Sequence, residues 1–247
     1  MKDRFQSEGY CAVPNMLSAS DCQAILNHES KPRPKPINWM KGRAASDPFY
    51  AHLGSHQQLV KPLRELLGEN VVLWGVDILH RQPSQVHPWH CDIESCDPNG
   101  GFVSIWIGVQ NTSKESALNL ISRSHKYGVT IQERAHREGV KREEIAMKHI
   151  HEWAADFDPE SELIKPEVGN GDALFFDGRL WHGTHNVRSE GTRVAILLQY
   201  AAADRDVKLI DFKNFSWPLQ RLENPRPPVL VVSGQGDPSH NLIANRP

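Results

Sequence analysis

Between residues 70 and 200 the chain repeatedly enters a short β-rich run and falls back into a turn: VVLWGVDIL at 71–79, GFVSIWIGVQ at 101–110, ALNLI at 117–121, DALFF at 172–176 and TRVAILLQY at 192–200. The runs carry β-branched and aromatic residues, and the Gly, Pro, Asn, Asp and Ser between them are the residues that take turn conformations at least cost. Strands joined by non-helical connections imply an antiparallel sandwich or barrel, with any helices gathered on one side. The predicted fold is therefore mainly β in an α+β chain, with a barrel core over about 70–200.

The flanks read differently. Tyr10 to Pro14 has the pattern of a short strand, and Ser18 or Ser20 caps a helix running to about Asn27. Residues 31–50, with four prolines and five basic residues, read as an irregular surface loop. From Gln57 to Leu67 apolar residues recur at helical spacing (Leu59, Leu63, Leu66, Leu67), and Gly68 closes the helix. A charged, partly helical insertion at about 126–168 interrupts the strand series as an active-site lid would. Beyond Tyr200 the chain turns loop-like, apart from Val229–Val232, which predicts an added edge strand.

At 247 residues the chain is expected to form a single domain, 1–247. A formal net charge of -2 with 23% charged residues gives no basic footprint for nucleic acid, so a small-molecule partner is expected. Nothing approaches the roughly 20 apolar residues of a membrane span, and no signal-peptide run opens the chain. Four cysteines are too sparse for a disulfide framework, which points to the cytoplasm. No feature sets an oligomeric state.

The chemistry concentrates in His87-Pro88-Trp89-His90-Cys91-Asp92. On a strand, residues two apart share a face, so His90 and Asp92 are placed to grip one metal while Cys91 points away. A second imidazole comes from His182, just after the Asp177-Gly178 turn. Two imidazoles and a carboxylate form the facial triad of non-haem iron(II) oxygenases, although the same three ligands serve zinc equally well. With 13 histidines in the chain an isolated H-x-D is weak on its own. His87, three residues from His90, is expected to face away from it. His149 and His151 do not converge on a helix and read as surface residues, and Cys91 with Cys96 lacks a second pair at zinc-site spacing.

Arg193 strengthens the reading, because it is the one charge in the otherwise apolar run 192–198. A guanidinium directed into a barrel requires an anion, and a carboxylate held bidentately matches its planar fork; the bland alternative is a strand end pointing to solvent.

Together, H-x-D at 90–92, GDALFFDGRLWHGT at 171–184 and Arg193 eleven residues beyond His182 resemble the phytanoyl-CoA dioxygenase family, which includes the ectoine hydroxylases. More loosely, NTSKESALNLISRSHKYG at 111–128 is similar to a family segment ending in Gly-Ser-His, with Arg123 standing where the family has Gly, so the local turn is expected to differ. The resemblance implies a double-stranded β-helix, or jelly roll, with N-terminal helices packed on one side. It implies iron(II) bound by His90, Asp92 and His182, with 2-oxoglutarate and dioxygen as cosubstrates. By the same match Arg193 holds the far carboxylate of 2-oxoglutarate, helped by Thr184, and Trp106 lines the cosubstrate pocket.

The activity so implied is hydroxylation of a small-molecule metabolite with release of succinate and CO2. Desaturation, cyclisation and epimerisation are other outcomes of the same chemistry; halogenation is disfavoured, since halogenases lack the carboxylate that Asp92 supplies. Two readings compete, a cupin-like metal protein that needs no 2-oxo acid and a catalytically silent binding barrel. Arg193 discriminates against both. Substrate choice is expected to lie in the loops 31–50 and 94–101 and the insertion 126–168. The chain ends Ala-Asn-Arg-Pro rather than in a peroxisomal Ser-Lys-Leu signal, so a CoA thioester is not expected.

Overall fold

Two sheets carry the β-rich runs in a computed structural model, which describes all residues except 33, 37, 38, 188, 189, 215, 216 and 218. In chain order the elements are α1 (Lys2–Glu8), β1 (Tyr10–Val13), α2 (Ala19–Glu29), α3 (Pro48–Gly54), α4 (Gln57–Leu67), β2 (Val71–Arg81), β3 (Val86–His90), β4 (Phe102–Gln110), β5 (Leu118–Ile121), α5 (Ile131–Arg137), α6 (Met147–Phe157), β6 (Leu163–Ile164), β7 (Ala173–Phe176), β8 (His182–His185), β9 (Arg193–Ala202), β10 (Pro228–Ser233) and β11 (Leu242–Ile243). The larger sheet has the order β1-β7-β4-β9-β2-β10-β11 and the smaller β3-β8-β5-β6. All pairings are antiparallel except β10 with β11. This is the mainly β architecture that the turn-punctuated runs predict, in the jelly-roll form that the family resemblance implies.

Period-2 alternation sorts the central strands into two faces. Val194, Ile196, Leu198 and Tyr200 of β9 join Val103, Ile105 and Ile107 of β4 in a core shared with Ile25 of α2, Tyr50 of α3 and Leu59 and Leu63 of α4. Ala195 and Leu197 of β9 face the other way and meet Trp106, Leu118, Leu120, Leu174 and Phe176 between the sheets. Leu59 and Leu63 are one helical turn apart and fully buried, so truncating either to Ala costs about 2–5 kcal/mol. α2 is fixed at its start by a capping box: Ser18 Oγ accepts from Asp21 N at 3.2 Å, and Ser18 N donates to Asp21 Oδ2 at 2.9 Å.

Several expectations are corrected. Residues 43–45 form a 3-10 turn and α3 begins at Pro48, with Ala44, Ala45, Asp47 and Tyr50 buried, so the second half of the 31–50 segment is packed rather than loose; residues 33, 37 and 38 lie outside the described set. The run at 229–232 lies inside β10, which is covered by β11 and so is not the edge. Arg123 adopts φ 66 and ψ -7, the left-handed conformation that glycine takes freely, so the turn survives with an arginine in it. Its backbone N–H donates to Glu8 O at 2.9 Å, and its side chain pairs with Asp158 at 2.7 Å and Glu160 at 2.8 Å.

The insertion forms an outer layer on the smaller sheet. Ile131, Ala135, Ile150, Trp153 and Ala154 of α5 and α6 pack with Ile121 and Trp181. Between the two helices a 3-10 turn, Arg142–Glu144, reaches β3.

Candidate metal centre

His90 and His182 are register partners across the antiparallel β3–β8 pair, which brings their rings to 4.2 Å between centroids. Each Nδ1 lies against the carbonyl two residues back in its own chain: His90 with Pro88 O at 2.9 Å, His182 with Leu180 O at 2.8 Å. A carbonyl only accepts, so Nδ1 carries the proton and Nε2 is left with a free lone pair. Both Nε2 atoms stand 3.8 Å from Asp92 Oδ1. Metal–ligand bonds of about 2.0–2.2 Å put neighbouring ligand atoms roughly 3 Å apart, so a small inward rotation of these side chains suffices to share one ion. Among the described residues, these three form the one His/Cys/Asp/Glu group whose ligand atoms all lie within 4.8 Å of one another.

β3 ends at His90, and Asp92 follows in extended backbone at the head of a 3-10 turn, which keeps the two on one side. Asp92 N donates to Gly178 O at 2.9 Å. A Cβ on Gly178 would fall 1.8 Å from Ser95 Oγ, so this close approach admits only glycine. Cys91, between the ligands, turns outward into the cluster beneath the insertion.

Asp92 uses its second oxygen elsewhere: Oδ2 accepts from Ser104 Oγ at 2.9 Å and from Gln199 Nε2 at 3.1 Å. Sequence reasoning missed both donors. Their signal was a polar residue at an inward position of an apolar strand, the same signal that exposed Arg193.

Burial keeps the imidazoles neutral and ready to ligate. Desolvation pushes His90 well below the ordinary histidine value, with the charges of His182, His87 and Arg142 adding to it. His182 is lowered by desolvation against the opposing pull of Asp92. His87 is held at about 4, by desolvation and then by Arg81 and Arg142.

His87 does not face away from His90 as expected. The β3–β8 register shifts between His87 and His90, a bulge that turns both to one side with ring centroids 4.5 Å apart. It still makes a poor ligand, because Arg81 Nη2 donates to its Nδ1 at 3.1 Å and the neutral ring then carries its proton on Nε2. His149 stacks on Trp153 away from the centre, and His185 is exposed.

Arg193 is wholly buried and points between the sheets, not to solvent. Its Nη1 donates to Ser116 O at 2.7 Å and to Thr184 Oγ1 at 3.0 Å, and its guanidinium lies 5.3 Å from the ring centroid of Trp106. Nε and Nη2, one edge of the fork, have no partner. Desolvation, then the neighbouring Arg81, lowers its pKa to about 10. A buried guanidinium edge without an acceptor fits a ligand carboxylate, and the neutral imidazole pair beside Asp92 fits a divalent cation; the residues present therefore suit an iron(II) and 2-oxo acid pair.

Known proteins agree with that fit. The family model for phytanoyl-CoA dioxygenase (PhyH) matches residues 5–195. Phytanoyl-CoA dioxygenase, peroxisomal, from Rattus norvegicus is 23% identical over an alignment of 234 residues that covers 81% of this chain and 67% of the rat protein. Among solved structures, HygX from Streptomyces hygroscopicus with nickel and 2-oxoglutarate bound superposes with a TM-score of 0.63 at 15% identity, covering 93% of this chain and 97% of its own. The non-heme alpha ketoglutarate dependent epimerase SnoN from nogalamycin biosynthesis gives 0.59 at 15% identity, covering 92% and 96%. The chain belongs to the phytanoyl-CoA dioxygenase family of iron(II)- and 2-oxoglutarate-dependent oxygenases.

Proposed function

We propose that this protein hydroxylates a small-molecule metabolite, consuming 2-oxoglutarate and dioxygen and releasing succinate and CO2, with iron(II) held by His90, Asp92 and His182. The observation that carries the reading is the unpartnered edge of Arg193, a buried cation with no protein anion, set beside the three ligands.

Iron(II) with 2-oxoglutarate and dioxygen supplies, when bound, the oxidising power to break an unactivated C–H bond. The chain's own residues do the positioning. Leu180 O and Pro88 O fix the tautomers that present Nε2. Ser104 and Gln199 occupy Asp92 Oδ2, so the carboxylate would offer its other oxygen, Oδ1, to an ion held with His90 and His182. Arg193 and Thr184 receive the far carboxylate of the cosubstrate, with Trp106 behind the guanidinium and Leu118, Leu120, Leu174 and Phe176 excluding water. The whole chain acts as one catalytic domain. No helix among the described residues is long and apolar enough to cross a membrane, and the four free thiols are in keeping with a reducing cytoplasm.

The test is a screen of small molecules coupled to succinate release, followed by turnover under labelled dioxygen. Label in the organic product is expected. Succinate release with unlabelled product would replace hydroxylation by an outcome such as the epimerisation named for SnoN, and no 2-oxoglutarate consumption at all would remove the reading.

A further inference from the structure

Five of the seven Lys and Arg residues in the insertion, Arg134 to Lys148, face different fates. Arg134 pairs with Asp156 at 2.8 Å and Glu138 at 3.1 Å, Arg137 with Glu133, and Lys141 with Glu144 at 3.9 Å, while Lys148 is exposed. The three paired residues and the exposed Lys148 are the solvated charges that a polar helix pair ordinarily carries. Arg142 stands apart. It sits on the 3-10 turn that packs against β3, and among the described residues its side chain makes no hydrogen bond or ion pair.

That turn forms one wall of a cleft of about 780 Å³. The same cleft is lined by His87, whose ring meets His90, and by Thr184, which accepts from Arg193. Lys114 and Lys165 also line it, with Glu115 and Glu143 as its acidic residues. Arg142 is open to solvent, yet the cleft walls desolvate its guanidinium enough to lower its pKa, and only exposed Glu143 acts against this. Its charge in turn depresses His87, His90 and His182, which places it within electrostatic reach of all three imidazoles.

Charge balance then decides what the cleft accepts. A divalent metal, Asp92 and a dianionic cosubstrate together leave one negative charge, which Arg193 cancels. Arg81 has Asp77 acting on it from the same strand. Arg142 has only the exposed Glu143 acting on it and makes no hydrogen bond or ion pair among the described residues, so its guanidinium is open to an incoming anion at the cleft.

We propose that Arg142 is a specificity-determining residue that binds an anionic group, carboxylate or phosphate, on the primary substrate as it enters between the insertion and β3. The inference rests on the reading of the centre given above. A charge-assisted contact of this kind, partly open to solvent, contributes about 10- to 100-fold in affinity.

The test uses the full chain loaded with cobalt(II), so that no turnover occurs, and saturated with 2-oxoglutarate, so that Arg193 is occupied. Inorganic phosphate and propionate are then titrated calorimetrically as probes of the two anion types. Wild-type protein should bind at least one, the tighter naming the group; Arg142→Gln should weaken it by about 10- to 100-fold and Arg142→Lys should keep part of the affinity. Thermal melts confirm that the variants are folded. Uptake of neither probe, or equal uptake by Arg142→Gln, overturns the proposal. Failure of the wild-type protein to bind 2-oxoglutarate in the preceding step overturns the reading of the centre instead. In the succinate screen, anionic compounds should be the active ones, and Arg142→Gln should raise their KM more than it lowers kcat.

Discussion

Gln199 donates through Nε2 to Asp92 Oδ2 at 3.1 Å, linking the central strand of the larger sheet to a carboxylate on the loop that follows β3. Both residues are buried, and Ser104 shares the same oxygen. The orientation of Asp92 is thus set by the sheet opposite the histidines.

Removing that support should loosen the metal. Gln199→Leu with Ser104→Ala leaves Oδ2 without these donors, and losses of such orienting partners lower metal affinity by about 10- to 100-fold. Competition against a chelator measures it. An unchanged affinity in the double variant would show that Asp92 orients itself.

The ligand assignment predicts that Ala at His90, Asp92 or His182 abolishes stoichiometric metal uptake, whereas His185→Ala, on the exposed side of β8, retains it. Metal that binds the native state alone raises the melting temperature, so added cobalt(II) should stabilise wild type and not His182→Ala. A full cobalt-induced shift in His182→Ala would displace that residue from the ligand set.

Arg193 should separate cosubstrate binding from stability. Breaking a desolvated guanidinium–carboxylate pair costs roughly 2–5 kcal/mol, so 2-oxoglutarate affinity should fall by about 30-fold to several thousand-fold in Arg193→Ala. Arg193→Lys keeps the charge but not the fork and should recover only part of this. In the absence of ligand, Arg193→Met should melt no lower than wild type, since it removes a buried charge that lacks an anion. Iron content should be unchanged. Wild-type dependence of succinate release on 2-oxoglutarate in Arg193→Ala would defeat the assignment.

The depressed histidines give the metal-free protein an acid-side weakness. Folded His87 titrates at about 4 rather than 6.5, and His90 and His182 are also lowered. The unfolded chain therefore binds protons first as pH falls, and stability contributed by the neutral rings is present above about 6.5 and is lost between there and about 4. Melting temperatures of metal-free protein across this range should decline, and His87→Asn should flatten the slope. A pH-independent melt over the same interval would contradict the lowered values.

How much of this was legible in the sequence depended on whether a residue announced its own environment. His90 and Asp92 did so because their spacing converges in extended chain, and Arg193 because a charge in an apolar strand demands a partner. Gln199 and Ser104 occupy equally telling inward positions, but an uncharged polar side chain makes a weaker demand, and which face is inward is known only once both sheets are placed. His87 was misread because the β3 bulge is a property of pairing with β8 and leaves no local trace. Arg142 was hidden among its neighbours: composition gives Arg134, Arg137 and Arg142 equal weight, and only the packed structure shows that two of them are paired with carboxylates. Arg123 shows the reverse, a turn preserved although its left-handed backbone conformation favours glycine.

All ten residues of β9 are buried between neighbouring strands, and its inward face carries Arg193 at one end and Gln199 near the other. The strand therefore acts as a ruler. The separation between Arg193, the proposed cosubstrate anchor, and Gln199, which holds Asp92, is graduated in backbone rises of about 3.3 Å, with no loop between them. A 2-oxo diacid longer or shorter by one carbon changes its own reach by about 1.3 Å, less than half of one graduation. No slip of register can absorb that difference without turning the whole strand inside out. With Arg193 as the proposed anchor, a change in cosubstrate length would have to be met by the ligand rather than by the strand.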